Sequence, residues 1–166
     1  MRLLVVGDTH GRIQVVQKAL ETCRGDILLC TGDFYNDGVK LARSLQIPFY
    51  GVTGNCDRGS ASKEEQLLEL GGRRVFLSHG HRYGVKRGLQ SLYYRACEAE
   101  AELVLFGHTH VALCEKVEGI WLLNPGSPSL PRNPGRGSIA MVDLDQHDIV
   151  PRILWDTGDG SFAPHL

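Results

Sequence analysis

Aspartate, asparagine and histidine residues, whose side chains bind metals and move protons, recur in five short clusters that each follow an apolar run. The first cluster holds Asp8 and His10, and it comes directly after the apolar residues 3–6. Alone, this pair is equally compatible with a helix-capping aspartate and a surface histidine. The later clusters contribute five more residues of the same types: Asp33, Asn55, His79, His108 and His110.

Together these seven side chains offer mixed oxygen and nitrogen ligands without a cluster of thiolates. Such a mixture suits Mn, Fe, Ni or Zn better than Ca or an iron-sulfur centre. Packing gives no reason for charged side chains at the ends of buried strands, so the concentration of these residue types there favours a metal site.

The elements that must position the clusters are indicated by the hydrophobic pattern. Apolar runs at residues 3–6, 27–30 and 47–52 predict buried strands, and the periodicity of residues 12–23 and 39–45 predicts helices between them. Helices are also expected at 63–70 and 86–102, and strands at 74–77 and 103–106. This alternation predicts a mainly parallel sheet, in which the carboxyl ends of the strands meet at one edge and form the ligand site.

The second half of the chain has a different pattern. Strand-like runs at residues 111–117, 120–123, 138–144 and 147–155 are separated by turn residues without a helical period. We therefore expect antiparallel strands there, and a tail at 156–166 that is poorly ordered at its end.

Length and composition indicate one domain, residues 1–166, of an ordinary globular protein with 42% hydrophobic and 22% charged residues. A net charge of -1 argues against binding nucleic acid by bulk electrostatics. The sequence contains no apolar stretch long enough for a signal peptide or a membrane span. Its five cysteines are scattered, which is typical of reduced thiols, and a cytoplasmic location is expected.

The order Asp8-x-His10, Gly32-Asp33, Gly54-Asn55-x-Asp57, His79, Gly107-His108-x-His110 resembles the calcineurin-like metallophosphoesterases. The short spacing and the Asn-Cys-Asp form of the third motif are similar to those of the small single-domain YfcE-type phosphodiesterases. The resemblance implies an α/β fold, a four-layer αββα sandwich with a two-metal site at the strand ends, which agrees with the parallel and then antiparallel pattern.

The resemblance also implies a ligand set and a reaction. It places Asp8, His10 and His110 on one divalent metal ion, Asn55, His79 and His108 on the other, and Asp33 between them. Manganese is the expected metal, with Ni, Fe or Zn as alternatives. A hydroxide held between the ions would attack the phosphorus of a small phosphodiester, which makes Asp33, Asn55 and His108 the expected catalytic residues.

The third motif departs from the wider family at Cys56. Many relatives carry a histidine there, which is proposed to assist the leaving oxygen, and a thiol is a poor substitute. A buried apolar cysteine without a chemical role is at least as good an interpretation. The missing imidazole predicts a preference for esters with good leaving groups. Asp57 is a candidate for the same site, as a residue that orients the loop or as a helix cap.

Further candidates for substrate contacts lie beside the clusters. His81 is one, with support of a metal ligand or an idle surface position as its alternatives. The arginines near the clusters, which are Arg12, Arg58 and Arg82, are suited to phosphate oxygens, although arginines at such positions are usually only solvated. Residues 124–127 are either part of the rim of the site or an ordinary Pro-Gly turn.

Two other functions compete with a phosphodiesterase. A subunit of the endosomal retromer coat resembles the same small fold with a decayed site, so a protein-binding scaffold is the main alternative. The retention of all seven ligand positions favours the enzyme. A phosphomonoesterase or a nuclease is the alternative among enzymes, but the sequence shows no basic track with aromatic residues, so nucleic-acid binding is not expected. A homo-oligomer is compatible with the sequence, which does not determine the oligomeric state.

Overall fold

The fold was analysed in a computed structural model, which describes residues 1–57, 63–132 and 135–164. The helices and strands, in chain order, are β1 (Arg2–Val6), α1 (Ile13–Cys23), β2 (Ile27–Cys30), α2 (Tyr35–Leu45), β3 (Phe49–Gly51), β4 (Glu65–Leu70), β5 (Arg73–Ser78), α3 (Gln90–Glu98), β6 (Leu103–Leu105), β7 (Leu113–Val117), β8 (Ile120–Asn124), β9 (Ser138–Leu144), β10 (Ile149–Asp156) and β11 (Phe162–Pro164). A short 3-10 helix, His81–Tyr83, follows β5.

The strands form two mixed sheets. The first has the order β11-β10-β9-β1-β2-β3 and the second the order β4-β5-β6-β8-β7. Strands β1, β2 and β3 are parallel, as are β5, β6 and β8, while the remaining pairs are antiparallel. The predicted parallel pairing of β1, β2 and β3 is confirmed, but a single mainly parallel sheet is wrong, because β5 and β6 belong to the second sheet and both sheets are mixed. The second half is antiparallel except that β8 joins β6 in parallel.

The sheets pack face to face, and helices cover their outer faces. Along β1, Leu3 and Val5 belong to the core between the sheets, whereas Leu4 and Val6 belong to the core beneath α1 and α2. Because successive side chains of a strand point to opposite faces, a strand buried on both sides must be apolar throughout. A third core lies between the second sheet and α3. The expected four-layer αββα sandwich is confirmed.

The helix predicted at 63–70 is wrong, because residues 65–70 form strand β4, paired with β5. Its Glu, Gln and Leu residues favour a helix locally, but Leu68 and Leu70 pack into the core between the sheets. The signal for the hairpin was the pair Gly71 and Gly72, whose φ angles of 57° and 79° suit a two-residue turn. Tertiary pairing overrides the local preference here.

Other boundaries also differ from the expectation. The helix predicted at 86–102 is shorter, since α3 is Gln90–Glu98, and the helix predicted at 39–45 begins earlier, at Tyr35. The tail contains strand β11, whose Phe162 is buried in the core beneath α1 and α2, and the end of the tail, residues 165–166, where poor order was expected, lies outside the described residues. Burial of that one aromatic side chain orders a segment that lacks any sequence pattern.

None of the helices in the described part of the chain has the length and hydrophobicity needed to span a membrane. The five cysteines, all of them in that part, form no disulfide in the structure.

The first sheet is cross-linked by Asp143 on β9, which accepts hydrogen bonds from Arg2 on β1 and Arg152 on β10 at 2.8 and 2.5 Å. The hydrogen bond from Arg2, followed by the contact with Arg152, lowers the pKa of the Asp143 carboxyl group. A lowered folded-state pKa stabilises the protein above the unfolded value of about 3.9, and this stabilisation is lost as the pH falls through the folded-state value.

We therefore expect Asp143→Asn to lower the free energy of unfolding at pH 7 by no more than about 1 kcal/mol, because the pair is partly exposed. The difference from the wild type should shrink below about pH 4. Urea denaturation at several pH values measures it, with Asp148→Asn on the exposed β9–β10 turn as the matched control. A difference that is constant with pH would contradict the assignment.

Candidate metal centre

The carboxyl ends of five strands supply the predicted ligands, and the structure brings the aspartates and histidines together in two groups. One group is Asp8, His10, Asp33 and His110, and the other is Asp33, His79 and His108. Within each group the potential ligand atoms lie within 4.8 Å of one another, and Asp33 belongs to both. The parallel arrangement of β1 with β2, and of β5 with β6, places these strand ends at one edge of the sandwich.

The backbone at this edge adopts an unusual conformation. Five of the predicted ligands have positive φ angles between 46° and 69°, and these are Asp8, His10, Asp33, His108 and His110. Residues other than glycine rarely adopt this left-handed conformation, which costs about 1 kcal/mol or more for each residue. Strain concentrated in the ligand-bearing loops is typical of a functional site.

The first group is held around a pair of histidines. The Nε2 atoms of His10 and His110 lie 3.3 Å apart, and Nε2 of His110 lies 3.2 Å from Oδ1 of Asp8. The other carboxylate oxygen of Asp8 accepts a hydrogen bond from the backbone N–H of His108 at 3.0 Å. Asp8 thus fixes the loop after β6 while it presents its free oxygen to the first group.

The second group is centred on His79, which is fully buried. Its Nε2 atom lies 3.2 Å from Oδ1 of Asn55 and 3.5 Å from Oδ1 of Asp33, and the rings of His79 and His108 are 5.0 Å apart. The structure therefore places Asn55, which was expected to bind the second metal, beside the other members of that set.

Backbone carbonyl groups orient two of the histidines. Nδ1 of His79 lies 2.8 Å from the carbonyl oxygen of Thr31, and Nδ1 of His110 lies 2.9 Å from that of Leu130. A carbonyl only accepts, so Nδ1 carries the proton and, in the neutral ring, Nε2 offers a lone pair to the centre of the site. This is the tautomer that a metal ligand needs.

The electrostatic environment differs between the groups. Burial and the neighbouring His79 lower the pKa of His108 to about 4, whereas the close contact with the Asp8 carboxylate raises the pKa of His110. Burial alone would raise the pKa of Asp33, but His79 and the backbone N–H of Cys56 lower it further than burial raises it. Asp33 is therefore an anion at neutral pH, and His108 is a neutral imidazole.

A buried oxygen tests whether the site fits a cation. Oδ1 of Asp8 is buried and forms no hydrogen bond in the described part of the chain, and Nε2 of His110 faces it at 3.2 Å. A carboxylate oxygen left in this state costs about 1–3 kcal/mol or more. A divalent ion coordinated by this oxygen and the neighbouring imidazoles would remove that cost, so the residues present fit a metal.

The loop after β3 carries Cys56 and Asp57. Asp57 accepts hydrogen bonds from the backbone N–H groups of Tyr35, at 2.7 Å, and Gly54, at 2.8 Å, so it connects the start of α2 to the Asn55 loop. Cys56 is exposed, so its interpretation as a buried apolar cysteine is wrong. Partial desolvation of the thiol, together with a hydrogen bond to Asp33, raises its pKa to about 11. Asp57 thus combines the two roles that were considered for it, those of loop orientation and helix cap.

The residues expected to contact the substrate differ in their positions relative to the two ligand groups. His81 lies beside the second group, with its ring 5.3 Å from that of His79, and its buried Nδ1 has no hydrogen-bond partner in the described residues. Arg12 is exposed just before α1, while Arg82 forms an ion pair with Glu64 at 2.7 Å. Arg58 lies outside the described residues.

A second carboxylate that the sequence did not reveal supports the first loop. Asp37 is buried in the first turn of α2 and accepts hydrogen bonds from Oγ1 of Thr9, at 2.7 Å, and from N–H of Gly11, at 2.9 Å. It therefore holds the loop segment on both sides of His10. A polar residue on a helix face gives no sequence signal of such a role.

Residues 124–127 form hydrogen bonds with the loops that carry the proposed ligands, so they are not only a Pro-Gly turn. Nδ2 of Asn124 donates to the carbonyl of Gly107 and to Oγ1 of Thr109, both at 3.0 Å. Oγ of Ser127 donates to the carbonyl of Asp8 at 2.7 Å. These buried contacts join the loop after β8 to the loops that carry ligands.

Comparisons with known proteins identify the family of the chain. The family model of the calcineurin-like phosphoesterase superfamily domain matches residues 1–147. The probable metallophosphoesterase YsnB of Bacillus subtilis is 33% identical over 162 residues, which cover 96% of this chain and 94% of the relative. Phosphodiesterase YfcE of Escherichia coli K12 is 28% identical, with 90% of this chain and 91% of that protein covered.

A solved structure of another protein shares this fold. Wild-type Vps29 of Entamoeba histolytica, solved in complex with Zn²⁺, superposes with a TM-score of 0.83 at 23% identity, covering 99% of this chain and 97% of that one. At this identity the likeness extends to the fold alone.

Proposed function

Because the chain belongs to the calcineurin-like phosphoesterase superfamily, we propose that it is a phosphodiesterase that uses two divalent metal ions to hydrolyse small phosphodiesters. One observation carries the proposal: two groups of metal-binding side chains share the single carboxylate of Asp33. We assign Asp8, His10 and His110 to one ion, Asn55, His79 and His108 to the other, and Asp33 to both. Manganese is the proposed metal and the cytoplasm the proposed location.

When bound, a pair of divalent ions supplies Lewis acids for the phosphoryl oxygens and lowers the pKa of water to near neutrality. The two carboxylates in the ligand groups, Asp8 and Asp33, cancel only half of the charge of such a pair. The site would therefore attract an anionic phosphoester although the chain as a whole is slightly acidic.

The chain's own residues position the substrate. Asn55 is exposed at the edge of the site, so its amide can donate to a phosphoryl oxygen while its carbonyl oxygen stays near His79. His108 and His81 lie on the same side, with their rings 6.0 Å apart. We propose that Asn55, His108 and His81 orient the phosphoryl group and that Asp33 keeps the two halves of the site in register.

Support for diesters comes from the open entrance and from a relative. Between Asp57 and His79 the chain has room for β4, β5 and little more, which is far too short for a separate cap domain. An open site admits an ester with substituents on both sides of the phosphorus. The relative YfcE is named a phosphodiesterase.

The decisive experiment compares an aryl phosphodiester with the matching monoester, first with metal-free protein and then with Mn, Ni, Zn or Mg added. We expect turnover of the diester only in the presence of metal, with Mn among the most effective ions. If no metal supports turnover, the proposal that the chain is an enzyme is wrong. If the monoester is turned over equally fast, the proposed preference for diesters is wrong.

A protein-binding scaffold remains the second candidate, because the fold is shared with Vps29. That protein was solved with Zn²⁺, so metal binding alone does not separate the two functions. Catalysis does separate them: a scaffold would bind metal in calorimetry and still fail to hydrolyse any ester in the assay above.

The thiol of Cys56 leads to a prediction about leaving groups. A histidine in its place would supply a general acid with a pKa closer to neutrality, and such an acid typically contributes about 10²-fold. We expect Cys56→His to raise kcat/KM for an alkyl diester by about tenfold or more and to change that for a nitrophenyl diester little. Cys97→His, at another exposed cysteine, is the control. Unchanged alkyl rates would show that Cys56 does not limit departure of the leaving group.

A further inference from the structure

We infer that an apolar cavity beside the candidate metal centre binds an aromatic ring bonded to the ester oxygen of the substrate. Aryl phosphoesters are then the preferred substrate class. The inference rests on the proposed function and specifies its substrate. The cavity has a volume of about 350 Å³. Its apolar wall is formed by Val85, Leu89, Phe106, Val111 and Leu113.

The cavity and the metal centre share one loop. Thr109, which lines the cavity, stands between His108 and His110, one from each ligand group. Phe106, which directly follows β6 and precedes the same loop, also lines the cavity. The cavity therefore adjoins the loop that carries one proposed ligand of each group. This adjacency fits a ring bonded to the ester oxygen.

The loop is rigid enough to shape a binding surface. Oγ1 of Thr109 accepts hydrogen bonds from Nδ2 of Asn124, at 3.0 Å, and from the backbone N–H of Val111, at 3.1 Å. A wall held by these contacts does not need to be ordered when a ligand binds, which favours affinity.

The charges around the cavity complement an aryl phosphate. Lys86 and Arg132 line its edge, and neither forms an ion pair with any residue that the structure describes. Arg132 is next to the first ligand group, since its backbone N–H donates to the carbonyl of His110 at 3.1 Å. The two cations would attract the phosphate anion and would also favour the face of an aromatic ring over an alkyl chain.

The size of the cavity agrees with this occupant. An apolar protein cavity of about 150 Å³ is sufficient for benzene. The cavity here is more than twice as large, so it accommodates one or two fused rings. Thr109, between two of the proposed ligands, belongs to its wall, which distinguishes it from an isolated patch on the surface.

The test uses phosphonates, which are not hydrolysed, and measures their binding by titration calorimetry to the protein supplied with Mn²⁺. We expect phenylphosphonate to bind about tenfold more tightly than methylphosphonate, because the ring is buried in the cavity. Butylphosphonate should bind more weakly than the phenyl compound. Val111→Trp, which fills the cavity, should bring the phenyl to methyl ratio close to one, and Val111→Ser should reduce it severalfold.

Leu67→Ala is the matched control, because Leu67 is 51% exposed on β4 and should leave the ratio unchanged. Melting curves establish that each variant is folded. Equal binding of phenylphosphonate and methylphosphonate would overturn the aromatic subsite while the proposed function stands. Tighter binding of butylphosphonate would assign the cavity to alkyl chains and also overturn it. If neither phosphonate binds, the proposed function fails together with this inference.

Discussion

Replacing Asp33 by asparagine is expected to lower kcat/KM for an aryl phosphodiester by about 10³-fold or more, which is the largest loss among the seven proposed ligands. Asp33 is the only residue common to both ligand groups, and its side chain is almost completely buried. The change removes one negative charge from both metal positions at once. Asparagine has nearly the same shape, so the fold should be retained.

The measurement combines kcat/KM with metal content and the melting temperature. His10→Asn, which removes one proposed ligand from one group, should lose less activity and less metal than Asp33→Asn. Asp148→Asn on the exposed β9–β10 turn should behave like the wild type. Similar losses for Asp33 and His10 would count against a shared position for Asp33, and an active, metal-loaded Asp33→Asn protein would rule it out.

Gly54→Ala is expected to cause the second-largest loss of activity, because the added methyl group would collide with Asp33. A methyl group at residue 54 would lie 2.1 Å from Oδ1 and 2.6 Å from the backbone nitrogen of Asp33. One of these contacts is with backbone, so a rotation of the side chain cannot relieve it. We expect a loss of about 1–3 kcal/mol in the free energy of unfolding and about 10²-fold in kcat/KM, since Asp33 must move.

Gly119→Ala separates steric contact from general intolerance of glycine replacement. Gly119 lies in the turn between β7 and β8, its φ is 93°, and a methyl group added to it would meet no described atom within 4 Å. That variant should lose stability through backbone strain and keep full activity. If Gly54→Ala retains both stability and activity, the close packing of the β2 and β3 loops around Asp33 is incorrect.

Hydrophobic periodicity predicted the strands whose burial alone determines their residue types. Strands β1 and β2 are apolar throughout because both of their faces are buried, and the structure confirms them at the predicted positions. The same principle failed for residues 63–70, where Glu, Gln and Leu suit a helix but a glycine turn and pairing with β5 decide for a strand. The two glycines of the turn, Gly71 and Gly72, were the sequence signal for this hairpin, and the local helix preference of Glu, Gln and Leu outweighed it in the prediction.

For the candidate site, the sequence alone determined which residue types follow each strand and in which order, because a parallel sheet brings the carboxyl ends of its strands to one edge. The distances between the ligand atoms, the tautomers of the histidines and the residues that hold the ligand loops depended on the tertiary structure. Asp37 contacts the His10 loop from a helix, and the apolar cavity draws its walls from β6, β7 and the segment before α3. Such arrangements arise from contacts between segments far apart in the chain, and no local pattern of residues encodes them.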